Sequence, residues 1–119
     1  MTEIPSHLES SPDPEGYRLY AVRLKATVLE DSRFREANPD YEEGRPVIYV
    51  GMTGRSRELR FHQHLAGYKA SRYVHRFGKR LFHWVHDDTG TFDRWEQAEE
   101  AEEALAEDFR ARGWGVWQN

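Results

Sequence analysis

The sequence predicts a single domain mixing strands and helices, an α/β (α+β) fold, on three observations. Branched and aromatic residues gather in short runs at Tyr17–Lys25, Pro46–Val50 and Leu81–His86, the composition of strands on a half-buried surface. Between the second and third runs, serines followed by apolar residues three and four apart, then by glycine, mark two helices. A longer helical pattern covers Asp93–Arg112. With 119 residues, 38% of them hydrophobic and 13% aromatic, the chain can bury one small core. The 32% of charged residues and a mean hydropathy of −0.91 leave a very polar surface, so the core must rest on few, large side chains.

Residues 1–16 carry Pro5, Pro12 and Pro14 among serines and acids without periodicity, the composition of a loose tail. Tyr17–Lys25 (YRLYAVRLK) is the first strand. Residues 25–45 form a long acidic connection containing Asn38-Pro39, a loop insertion with a short helix after Asp31-Ser32; loops of that length in a compact domain are functional or mobile. Pro46–Val50 is the second strand, with the proline at its start, where a missing N–H is tolerated. Beyond the turn Gly51-Met52-Thr53-Gly54, Ser56 caps a helix that presents Phe61, Leu65 and Tyr68 and stops at Gly67; Ser71 caps another that runs to Phe77 and stops at Gly78. Leu81–His86 is the third strand, closed by Asp88-Thr89-Gly90. The last helix is followed by GVWQN, a short docked strand. Trp84 and Trp95 are expected in the core, and Trp114 and Trp117 as anchors of the chain end.

There is no cysteine, which removes disulfides, thiolate catalysis and thiolate metal sites. No apolar run reaches the length of a signal or membrane segment, so a soluble, cytoplasmic protein without membrane partners is expected. The net charge of −4 hides a segregation. From Arg45 to His83 nine Lys/Arg stand against Glu58 alone, a net +8, and the rest of the chain carries −12. The basic block is interleaved with Phe61, Tyr68, Tyr73 and Phe77. Such a block suits a nucleic-acid surface, with cations for phosphates and rings for bases; a solvated face balanced by the acidic last helix has the same composition. Its candidate phosphate contacts are Arg55, Arg57, Lys69, Arg72 and Arg76.

In the last helix Trp95, Ala98, Leu105 and Phe109 trace an apolar stripe, and the position missing from the series is Glu102. An unpaired carboxylate buried there costs several kcal/mol, so it is expected to face a cation, an arginine or the wet edge of a cleft; a glutamate at the stripe boundary is the plainer alternative. Arg60 and His64, four residues apart, line one side of an earlier helix. With Tyr20 and Tyr49 on two strands these residues form a set suited to phosphodiester hydrolysis: a carboxylate for a divalent cation, an arginine for charge growing on phosphate, and a phenol or imidazole for a proton. His62/His64 and His83/His86 point in different directions on a helix and a strand, which disfavours zinc.

These residues resemble the GIY-YIG nuclease superfamily, in particular its small stand-alone members. Tyr49-Val50-Gly51 is similar to the YIG element, with Arg60 nine residues after the glycine and His64 four later; Leu19-Tyr20 is similar to the end of GIY. Ala98, Glu102 and Leu105 resemble the metal-binding helix, and the segments from Arg60 to Ser71 (RFxxHxxGxKAS) and from Arg110 to Trp117 (RxRGWxVW) extend the likeness. The resemblance implies one nuclease domain over residues 17–119, with a central, mostly antiparallel three-stranded sheet flanked by helices. It implies a divalent-metal-dependent endonuclease cutting DNA in preference to RNA, with one Mg²⁺ or Mn²⁺. Tyr20 and Tyr49 would flank the attacking water, Arg60 contact the scissile phosphate, His64 assist proton transfer and Glu102 bind the metal, with Asn119 in place of the late asparagine of that superfamily. A binding module that kept the fold and lost turnover is the alternative. Arg18 stands where GIY has glycine, and Met52 where some members have a lysine able to lower a tyrosine pKa, which leaves the identity of the base open between the tyrosines and the histidine.

Overall fold

The computed structural model describes residues 3–118; Asn119 lies outside them. The chain folds as helix α1 (Ser6–Ser10), strand β1 (Tyr17–Leu24), a 3₁₀ turn (Ala26–Glu30), α2 (Ser32–Ala37), β2 (Val47–Thr53), α3 (Arg57–Ala66), α4 (Arg72–Phe77), β3 (Gly78–Leu81), α5 (His83–His86), β4 (Thr91–Phe92), α6 (Trp95–Ala111) and β5 (Gly115–Gln118). The mixed class is the expected one, but the sheet has five strands rather than three. Its order is β3-β1-β2-β5, with β4 also paired to β1. β1 runs antiparallel to β2, β3 and β4, and β5 lies parallel to β2. The docked end of the chain is therefore a full sheet member. Trp114 is buried, and Trp117 packs on Tyr73 with ring centroids 4.5 Å apart.

Alternation along β1 and β2 divides the core in two. Tyr20, Val22, Leu24, Val47 and Tyr49 pack with Phe61, Tyr73, Val74 and Phe77 of α3 and α4 and with Val28 and Phe34. Ala21, Ile48 and Val50 pack with Ala106, Phe109, Trp114 and Val85. The expected starts and stops of both helices are present, Ser71 and Gly78 bounding α4 as Ser56 and Gly67 bound α3. Ser56 accepts a hydrogen bond from the Leu59 N–H at the head of α3, and Gly67 closes that helix in the left-handed region (φ 86°), where a side chain would be strained.

Four expectations are corrected. Residues 81–86 are not a strand: pairing with β1 ends at Leu81, and His83–His86 coil into one helical turn. The reason is that the His86 imidazole turns back into the sheet, where its Nδ1 accepts the Ala21 N–H at 2.8 Å. Residues 25–45 contain the expected short helix after Asp31-Ser32, α2, but the segment is packed into the core rather than mobile. Asp31 caps α2 and also accepts from the Tyr73 hydroxyl, while Val28 and Phe34 are fully buried. The first sixteen residues are not uniformly loose either, since they contain α1, which contacts α3. Trp84 and Trp95 are not core residues, being 66% and 49% exposed; Trp84 stacks on Trp114 from outside.

Candidate active site

Tyr20 and Tyr49 reach the same side of the sheet because Tyr49 pairs with Val22, two residues along from Tyr20. The third member of the cluster is His64, from α3. The three ring centroids lie 5.6 to 6.0 Å apart, and all three residues are buried. Tyr20 Oη lies 2.6 Å from His64 Nε2. The Ser71 N–H donates to His64 Nδ1 at 2.9 Å, which occupies that lone pair and puts the neutral ring's proton on Nε2. His64 is therefore the donor and the Tyr20 oxygen the acceptor. In that geometry His64 holds the Tyr20 oxygen as a donor, and neither of its ring nitrogens keeps a free lone pair with which to take a proton.

Burial sets the electrostatics. It pushes the His64 pKa down to about 3, helped by the Arg60 charge, and pushes Tyr49 up to about 12, where Glu102 adds to the rise and Arg60 opposes it. Tyr20 is also held well above the ordinary phenol value, first by burial and then by Tyr49, with Arg60 opposing. The three groups are thus neutral near pH 7.

The glycine of Tyr49-Val50-Gly51 has a steric reason. Gly51 pairs with Tyr20 across the strands, and a Cβ built there would stand 2.6 Å from Tyr20 Cζ and Oη. Gly51→Ala is expected to displace the phenol from His64 and to cost about 1–3 kcal/mol of stability, the usual range for overpacking. Urea denaturation measures this; an unchanged midpoint would show that the ring does not depend on the gap.

Arg60 lies one turn before His64 and does more than face solvent. Its Nη1 donates to Gln63 Oε1 and the Tyr68 carbonyl, and its Nη2 to the Lys69 carbonyl at 2.7 Å. It thereby ties down the loop after α3, in which Lys69 has a φ of 45°, the one positive value among the described non-glycine residues. Three bonds leave two of the five guanidinium N–H donors for a ligand.

Glu102 is 3% exposed between Ala98 and Ala106, each fully buried. These small neighbours bring α6 close to the sheet, while the carboxylate oxygens, which make no hydrogen bond, keep contact with solvent. Among the described residues nothing donates to it and no cation pairs with it, and burial raises its pKa to about 7, with Glu99 and Glu103 adding to the rise. Its charge is felt at Tyr49, but no hydrogen bond joins it to the tyrosine cluster. The structure thus brings Tyr20, Tyr49 and His64 into contact, sets Arg60 beside them, and leaves Glu102 close by as a separate, unpartnered acid.

A hard divalent cation fits that residue. Mg²⁺ keeps several waters and is commonly held by one or two carboxylates, and the Glu102 carboxylate, without a donor or cation among the described residues, reaches solvent where such an ion can meet it. Glu102 is a single carboxylate; the one group of three possible metal ligands among the described residues is His83, His86 and Asp87. The helical turn brings these together, contrary to the expectation from a strand. His86 is a poor ligand even so, because its Nδ1 lone pair is taken by Ala21 and its proton consequently resides on Nε2.

The five candidate phosphate contacts separate into three groups. Arg57 is structural, donating to the carbonyls of Leu19 and His86. Arg72 faces Asp31 at 3.4 Å, and Arg76 lies over the Phe77 ring beside a different cleft. Arg55 and Lys69 line the same cleft as Arg60, about 660 Å³ in volume. Sequence reasoning missed Arg18. Its buried guanidinium donates to the carbonyls of Glu15, Gly16, Thr53 and Arg55, holding the turn after β2. The available signal was a cation in the middle of an apolar strand, where burial requires partners.

Comparisons with protein-family models, with curated proteins and with solved structures found no match for this chain.

Proposed function

We propose that this domain is a divalent-metal-dependent endonuclease that hydrolyses phosphodiester bonds of nucleic acid, DNA in preference to RNA. The observation that carries this reading is the Glu102 side chain, 3% exposed on α6 and without a donor or cation among the described residues. A carboxylate left uncompensated in a fold is costly, and a role in holding Mg²⁺ or Mn²⁺ gives it a reason to persist. Bound there, such an ion supplies charge stabilisation for phosphate and an acidified water. The chain's own groups do the rest. Arg60 offers its two remaining N–H donors to the phosphate, His64 holds the Tyr20 oxygen, and Tyr49 is the candidate proton acceptor as its phenolate, formed by prior loss of the phenol proton to solvent, a loss eased once the Glu102 charge is compensated.

One observation favours the alternative of a binding module without turnover: Arg60 already spends most of its donors on the chain. Incubating end-labelled DNA with the protein separates the two. Cleavage that requires Mg²⁺ or Mn²⁺ and stops with chelator supports the nuclease; retention of DNA without cleavage under either metal supports the module.

Binding itself is expected to depend on salt. If Arg55, Arg60 and Lys69 each neutralise one phosphate, log affinity falls with log salt at a slope of about −2 to −3, and Lys69→Glu lowers the magnitude of the slope without unfolding the protein. An affinity insensitive to salt would count against both readings.

A further inference from the structure

The cleft beside Arg60 holds more aromatic surface than phosphate contacts alone require. Tyr68 follows α3 and Trp95 opens α6, so the two come from distant parts of the chain, yet both line this cleft with Tyr17. They are 52% and 49% exposed, and among the described residues the only other large hydrophobic side chain left exposed is Trp84. Leaving two such rings in water forgoes the burial that stabilises most aromatics. Their position is also held by construction. Arg60 bonds the carbonyls of Tyr68 and Lys69 and so fixes the loop that carries one ring, while Trp95 is set by the start of a seventeen-residue helix.

We infer that this cleft seats an unpaired nucleotide, with its base against the Tyr68 and Trp95 rings and its phosphates on Arg55, Arg60 and Lys69. The physical ground is that a base in a duplex has both faces covered by its neighbours, whereas a base of a single strand has a free face to stack on a ring. The charges complement a phosphate chain, and Arg60 is the residue this cleft shares with the proposed catalytic cluster, whose Tyr49 opens onto the neighbouring cleft beside Ser71 and Arg72. Asp13 also enters the cleft, 4.0 Å from Arg55; this weak, exposed pair gives way to an arriving phosphate. The inference deepens the nuclease reading, whose substrate it makes single-stranded, or locally unpaired, nucleic acid.

Fluorescence anisotropy with the Glu102→Gln protein measures binding apart from cleavage, using a labelled twenty-nucleotide DNA strand, its duplex and the RNA strand of the same sequence. The single strand is expected to bind at least about tenfold tighter than the duplex. Tyr68→Ala and Trp95→Ala, both at half-exposed positions, are each expected to weaken single-strand binding about tenfold or more while leaving duplex binding unchanged. Equal affinity for DNA and RNA strands upholds the proposal, because ring faces do not read the sugar, and a preference for either upholds it and identifies the source. A duplex that binds as tightly as the strand, or ring variants that bind it like the parent, overturns it. Cleavage by the unmodified protein is scored separately. Strand binding through the two rings without hydrolysis upholds the cleft and refutes the nuclease, whereas duplex hydrolysis indifferent to both ring substitutions does the reverse.

Discussion

Glu102→Gln is expected to abolish metal-dependent cleavage while the domain stays folded. The amide keeps the size and shape of the carboxylate but lacks the charge that a hard cation requires. Stability provides a second readout. The folded pKa of Glu102, about 7, exceeds the ordinary carboxylate value of 4.5. Folding therefore favours its protonated form, and that contribution is complete below pH 4.5 and is lost as pH rises through 7. The loss is at most about 3 kcal/mol, from 1.36 kcal/mol per pKa unit. Burial acts in the opposite sense on the histidines, His64 falling to about 3 and His86 to about 4 from 6.5. Their contribution is present above pH 6.5 and disappears as pH falls through 4 and 3. Between pH 6.5 and 8 the two histidines together still gain about as much as Glu102 loses, roughly 0.8 kcal/mol each way, so the parent should stay nearly level across that interval while the variant gains stability. Parallel denaturation profiles for the two proteins would mean that the carboxylate is already compensated.

Tyr49→Phe is expected to lower turnover by about 10² to 10⁴, the usual worth of positioned proton transfer, with KM nearly unchanged. The hydroxyl is buried and Tyr49 lines a shallow cleft with Ser71 and Arg72, so removing it disturbs little of the packing. Tyr20→Phe differs in kind, because it deprives the His64 Nε2–H of its acceptor; it is expected to cost stability as well as rate, by about 1–3 kcal/mol for a buried donor left unpaired. If Tyr49→Phe turns over like the parent while Tyr20→Phe does not, the base is Tyr20, with His64 steadying its oxygen. Single-turnover kinetics on both variants decides between them.

The sequence announced those parts of the site that local rules control. Glu102 was legible because an acid in an apolar stripe violates helix periodicity, and Ser56, Gly67 and Ser71 were legible as caps. The cluster of Tyr20, Tyr49 and His64 depended on strand pairing, which places Tyr20 opposite Gly51 and Tyr49 opposite Val22; no local pattern encodes that register. Leu81–His86 misled because alternating aromatic and branched residues suit a strand, whereas the His86 bond to the sheet backbone favours a helical turn. Trp95 was assigned to the core by its size and stripe position, yet as the first residue of α6 it is half exposed and lines a cleft, while Ala98, three residues on, is fully buried. Arg57 matched the composition of a phosphate contact, and only the tertiary fold shows its donors spent on the carbonyls of Leu19 and His86.

Calorimetric titration with Mn²⁺ in two buffers of different ionisation enthalpy tests the central claim, that Glu102 is the metal-holding acid, most directly. A carboxylate titrating near pH 7 must shed its proton to take a cation, so the account predicts about half a proton released per ion at pH 7 and about a tenth at pH 8, with no binding at this site in Glu102→Gln. Equal Mn²⁺ binding by parent and variant, or binding without proton release at pH 7, would contradict it.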